Sequence, residues 1–125
     1  MERNTRQRDA ILATLMAAGR PLSPAEILAA ARKGVAGLGM ATVYRNLRAL
    51  VDQGVLQSIE LPRDGSRYEM AEAAHHHHHH FRCEACGRVF DVEGCPGNLS
   101  ALAPAGFVVD RHEVTLYGRC GDCAR

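Results

Sequence analysis

Two cysteine pairs, Cys83-x-x-Cys86 and Cys120-x-x-Cys123, have 33 residues between them. Thiolate sulfur is a soft donor, and zinc takes four such donors in a tetrahedron. Each pair carries a glycine placed for a tight turn, Gly87 after the first and Gly121 inside the second. Two matched pairs favour zinc over unrelated buried thiols or a redox CxxC. Four protein ligands leave no open position, so the four-cysteine site is expected to be structural rather than catalytic. The separation exceeds that of a compact zinc ribbon, so sheet must join the two knuckles. Cys95 is left over and reads as a small apolar filler before Pro96.

Six consecutive histidines, His75 to His80, precede the first knuckle. A purification tag or a solvated loop would look the same, although tags usually sit at a terminus. On an extended segment His76, His78 and His80 face one way and His77 and His79 the other. Alternate imidazoles can then serve two different metal sites. Glu69, Asp91 and His112 are the remaining donors near this pattern, and mixed imidazole and carboxylate donors suit Zn(II), Fe(II) or Mn(II).

The elements that must position these groups differ between the two halves. The first half reads as helices. Ile11, Leu12, Leu15 and Met16 recur at helical spacing behind Thr5 as N-cap. Ser23-Pro24-Ala25-Glu26 is a capping box with proline at N1, and Gly34 and Gly37 end that second helix. A third helix is expected from about Ala41 to Gln53. Its face of Val43, Leu47, Leu50 and Val51 is apolar, while Ala41, Tyr44, Arg45 and Arg48 point the other way. Residues 55–61 and 67–70 read as strands around a Pro62–Ser66 turn. Three helices and a hairpin are the order of a winged helix-turn-helix, and Tyr44, Arg45 and Arg48 suit phosphate and base contacts in a major groove. Arg3, ahead of the first helix, is placed to reach a neighbouring backbone or minor groove. In the second half, strands are expected at 80–82 and 88–92, a short helix at 96–103, and a strand or strand pair at 107–117.

Composition narrows the function. The chain has 125 residues and a net charge of +1, is 46% hydrophobic, and contains no tryptophan. That size allows one ordinary domain or two very small ones. Residues 1–62 carry +3 and residues 63–125 carry −2, and every cysteine and histidine lies in the second stretch. The expected domains are 1–71 and 72–125. No apolar run approaches a membrane span, and the charged start MERNTRQRDA has no apolar signal core. A cytoplasmic protein without a membrane or small-molecule partner is expected. A His/Asp zinc hydrolase would need a substrate pocket, for which the chain leaves little room. A His-rich metal storage module would explain the histidines but not the winged-helix half.

Four ordered motifs resemble the ferric uptake regulator family of bacterial metal-dependent repressors. They are Thr5-Arg6-Gln7-Arg8, Ala41-Thr42-Val43-Tyr44-Arg45-Asn46-Leu47, the histidines running into Phe81-Arg82-Cys83-Glu84-Ala85-Cys86-Gly87, and Gly106-Phe107, His112 and Tyr117-Gly118-x-Cys120-x-x-Cys123. The resemblance implies an α+β chain: an N-terminal winged helix-turn-helix, then a small α/β dimerisation domain stapled by zinc on the four cysteines. It implies a non-enzymatic homodimeric repressor that binds a palindromic operator in double-stranded DNA when its regulatory metal, Zn, Fe or Mn, is bound. Cys83, Cys86, Cys120 and Cys123 match the structural zinc site. Glu69, His78, His80 and Asp91 match the regulatory site, and His77, His79 and His112 a second one. Arg3, Thr42, Tyr44, Arg45 and Arg48 fall in or beside the DNA-reading motifs. An aspartate at position 91 resembles the peroxide-sensing, iron-dependent branch. Arg20 and Pro21 stand where the family often has a metal-binding histidine, and Asn98 where it has a carboxylate.

Overall fold

The computed structural model describes residues 2–72 and 79–125, with backbone only at residues 2 and 3. The chain divides into two compact units, residues 1–76 and 77–125.

The first unit begins with α1, Glu2–Ala18. Gln7, Ile11 and Leu15 repeat every fourth residue and are all buried. This stripe carries the helix back beyond Thr5, which lies inside α1 instead of capping it. Helix α2, Pro24–Ala31, has the capping box its sequence predicts. The Glu26 N–H donates to Ser23 Oγ at 3.1 Å, and the Ser23 N–H donates to Glu26 Oε1 at 3.1 Å. Arg20 Nη2 adds an ion pair to Glu26 Oε2 at 2.7 Å. Burial works against the Glu26 charge, but the Arg20 guanidinium and the Ser23 donors outweigh it and hold the carboxyl below its ordinary value. The helix closes at Arg32, two residues ahead of Gly34.

Helix α3, Met40–Asp52, buries Val43, Leu47 and Leu50. Its end is a Schellman motif. Gly54 takes φ +77°, its N–H donates to the Val51 carbonyl at 3.0 Å, and the Val55 N–H donates to the Leu50 carbonyl at 2.9 Å. Strands β1, Leu56–Leu61, and β2, Gly65–Met70, pair antiparallel from Leu56 opposite Met70 to Leu61 opposite Gly65. Leu22 exchanges both backbone hydrogen bonds with Tyr68, at 2.9 and 2.8 Å, which ties the α1–α2 connection to the hairpin. The core runs through all these elements: Ile11, Leu15, Leu22, Ile27, Ala31, Leu38, Val43, Leu47, Leu50 and Leu56. Three helices over a hairpin make a winged helix-turn-helix.

The second unit is a three-stranded sheet. β3, His79–Cys83, lies between antiparallel β4, Val89–Val92, and parallel β5, Thr115–Gly118. Gly118 passes close under Phe81: a Cβ there would sit 3.2 Å from the ring. Two expectations need correction. Residues 96–103 form only a 3-10 turn at Ser100–Leu102, because Pro96 and Pro104 bracket a stretch that buries no side chain. Residues 107–114 form no strand, because their large apolar side chains Phe107 and Val108 stay exposed and find no sheet face to pack on within this unit.

Candidate metal centres and nucleic-acid interface

Cys83 ends β3, and the next five residues turn back into β4. The Gly87 N–H donates to the Cys83 carbonyl at 2.9 Å, and Gly87 takes φ +80°. Cys120 follows β5 and opens a terminal turn closed by the Ala124 N–H on the Cys120 carbonyl at 2.9 Å. The sheet therefore brings both knuckles to one end. The ligand atoms of Cys83, Cys86, Cys120 and Cys123 all lie within 4.8 Å of one another.

The surroundings favour thiolate. The Cys120 and Cys86 N–H groups each donate to Cys83 Sγ at 3.4 Å. These donors, Cys120's foremost, pull the Cys83 thiol down to about 5. Arg88 Nε donates to Cys86 Sγ at 3.1 Å and lowers that thiol too, while Arg88 Nη2 lies 3.6 Å from Cys120 Sγ and 3.2 Å from Asp122. Four sulfurs this close cannot all ionise without a cation. Contacts with Cys120 and then Cys83 push the Cys123 thiol up to about 12. A soft, closed, four-thiol cluster with donors already aimed at sulfur fits zinc.

A second donor pair sits across β3 and β4. His80 and Asp91 are register partners, and His80 Nε2 faces Asp91 Oδ1 at 3.4 Å. Imidazole and carboxylate side by side suit a divalent cation of intermediate hardness. Glu69 is buried on β2 of the first unit. His77 and His78 lie outside the described residues, as does the side chain of Arg3.

His79 points to the other face of β3. Its ring stacks on His112 with centroids 5.0 Å apart, and the Val114 N–H donates to His79 Nδ1 at 3.0 Å. Cys95 is not an apolar filler. It is exposed, and its Sγ lies 3.3 Å from His112 Nε2. Asn98 points elsewhere, accepting the Ser100 N–H at 2.9 Å. The available signal was Cys95 itself, a metal-binding residue type three positions before the expected carboxylate.

On α3, Ala41, Tyr44, Arg45 and Arg48 are exposed opposite the buried stripe. Arg45 Nη2 donates to Thr42 Oγ1 at 3.0 Å. A helix of a winged helix-turn-helix that presents two arginines and a tyrosine outward suits a major groove.

The sequence model of the Ferric uptake regulator family matches residues 2–117. The chain belongs to the ferric uptake regulator family. Within the family it is similar to the peroxide-responsive repressor PerR of Staphylococcus saprophyticus subsp. saprophyticus, with 32% identity over 124 residues covering 97% of this chain and 82% of that one. Its fold is similar to that of a zinc-bound manganese uptake regulator, at TM-score 0.74 and 28% identity, covering 91% of this chain and 87% of that one. It is also similar to a zinc uptake regulator complexed with zinc and DNA, at TM-score 0.59 and 25% identity, covering 94% and 81%. These relatives are regulators, and the chain is grouped with them rather than with enzymes. Among the described residues no helix is long and apolar enough to cross a membrane.

Proposed function

We propose that this chain is a cytoplasmic, metal-responsive repressor that binds a palindromic operator in double-stranded DNA as a homodimer. In this reading residues 1–71 are the DNA-binding domain and residues 72–125 the metal-binding dimerisation domain. The observation that carries it is a donor pair, His80 and Asp91, held apart from the closed cysteine cluster in a chain whose other unit is a winged helix with an arginine-bearing α3. A closed structural site does not explain a second set of hard and borderline donors. A switch does.

Glu69, His78, His80 and Asp91 hold the regulatory metal, and His77, His79 and His112 form a second site. Cys83, Cys86, Cys120 and Cys123 hold structural zinc. A bound divalent metal supplies a charge that several donors from different parts of the chain can share. Donors that share one cation favour the arrangement that brings them together, and so select among conformations. Arg3, Thr42, Tyr44, Arg45 and Arg48 contact the duplex, and two-fold symmetry matches two recognition helices to two half-sites. Leu102, Phe107, Val108, Leu116 and Tyr117 are large apolar side chains exposed in the second unit. Burying them against a second copy supports the dimer.

The test is DNA binding by protein with zinc retained at the cysteines, using an operator selected from random duplexes. Adding Zn, Mn or Fe(II) separately should tighten binding about 5–150-fold. The H80A/D91A variant should lose that gain while keeping its zinc. An unchanged metal response in the variant overturns the reading. Asp91 beside His80, with the similarity to a peroxide-responsive repressor, also supports an iron-dependent peroxide sensor. That version requires Fe(II)-dependent binding to be lost on peroxide treatment.

A further inference from the structure

We propose that Cys95, His79 and His112 form a thiolate-containing metal site of their own. It takes a zinc-like cation and differs in chemistry from both the four-cysteine cluster and the His80–Asp91 pair. The inference deepens the second site proposed above by giving it a sulfur ligand and therefore a metal preference.

Three observations carry it. The ligand atoms of the three residues lie within 4.8 Å of one another. The histidines are supplied from different directions, His79 from β3 and His112 from the segment leading into β5, and their rings stack at 25°. His79 is 2% exposed, so this donor is built into the sheet. Alternation along β3 also separates the sites, because His79 and His80 leave opposite faces of the strand.

Two imidazoles and one thiolate are borderline-soft donors, which favour Zn(II), Co(II) or Cu(I) over Mn(II). Coordination replaces the Cys95 S–H bond with a sulfur–metal bond and releases the proton to solvent. No electron changes hands. His79 Nδ1 accepts the Val114 N–H, which leaves the proton of the neutral ring on Nε2. The ring must therefore exchange or reorient that hydrogen bond when it coordinates.

The experiment titrates Co(II) into full-length protein whose four-cysteine cluster holds zinc, with the zinc content measured before and after. Wild type and the H80A/D91A variant should each develop a sulfur-to-cobalt charge-transfer band with zinc unchanged. C95S should lack the band. Its Zn(II) affinity at this site should fall by more than about 10–100-fold, the loss that removing even an outer-shell partner causes. Excess Mn(II) should not bleach the band. Alkylation of Cys95 gives a second readout, slowed by Zn(II) in wild type but not in H112A. Cobalt binding in wild type without the band, or the same band in C95S, overturns the proposal. DNA binding is measured on the same samples. Loss of metal-responsive binding in wild type would count against the repressor reading while leaving the cobalt result intact.

Discussion

The two units of this chain are held together by different means. Among its described residues the first packs ten aliphatic side chains, from three helices, their connections and a hairpin, into one cluster. Among its described residues the second buries Cys83, Val89, Cys120 and His79, and three of those four are metal-binding residue types. Burial is worth about 25 cal/mol per Å² of apolar surface, so the first unit can stabilise itself without ligands. A sheet of three short strands with so little apolar interior needs a staple. With zinc on the four cysteines as proposed above, metal chemistry and structure become the same variable in this unit.

Stripping the zinc tests the contrast most severely. Apparent binding at structural zinc sites reaches about 10–16 kcal/mol at neutral pH, comparable to the whole stability of a small domain, about 5–15 kcal/mol. Chelation, or the C83S/C120S variant, should abolish amide protection in β3, β4 and β5 while α1, α2 and α3 stay protected. Full protection in the sheet of zinc-free protein would erase the distinction.

The reverse perturbation is smaller. Ile27 is fully buried at the centre of the helical cluster, and I27A should cost about 2–5 kcal/mol there. Denaturation followed by helical signal should shift accordingly, with zinc per chain unchanged. Zinc loss in step with helix loss would show the units to be one cooperative body.

The smallest effect sharpens the picture within the first unit. Glu26 has its folded carboxyl below the ordinary value, so it binds protons less readily when folded. Its contribution is present above the unfolded carboxyl range and is lost as pH falls through the folded value. At neutral pH E26Q should lower stability by about 0.5–1 kcal/mol, as expected for a half-buried cap and ion pair. The gap to wild type should close on acidification. A gap that widens in acid would refute the sign.

What could be read from the sequence follows the same division. The Ser23–Glu26 capping box, the buried face of α3 and the two CxxC knuckles are local signals, complete within a few residues, and each appears where its spacing put it. The start of α1 departs from the sequence reading because Thr5 has a capping side chain, but the stripe through buried Gln7 outweighs it. Cys95 departs from it for a different reason. Its approach to His112 closes a loop of irregular chain with no period, so no local pattern signals it. The carboxylate expected near Asn98 masks a thiol three residues earlier. The short helix and the 107–114 strand do not form because apolar content there does not become burial within one unit.

Val55 belongs to two elements at once. Its N–H closes the end of α3 on Leu50, and its carbonyl accepts the Ala71 N–H just past β2. Only residues 53–55 separate α3 from β1, and backbone hydrogen bonds at Gly54 and Val55 close that turn on the helix. These bonds couple helix and hairpin as one machined jaw rather than as a finger with a knuckle. In the DNA-bound state proposed above, a partner with altered groove geometry is expected to be met without bending the helix on its wing. Tolerance for such a partner has to come from side chains on the jaw's surface.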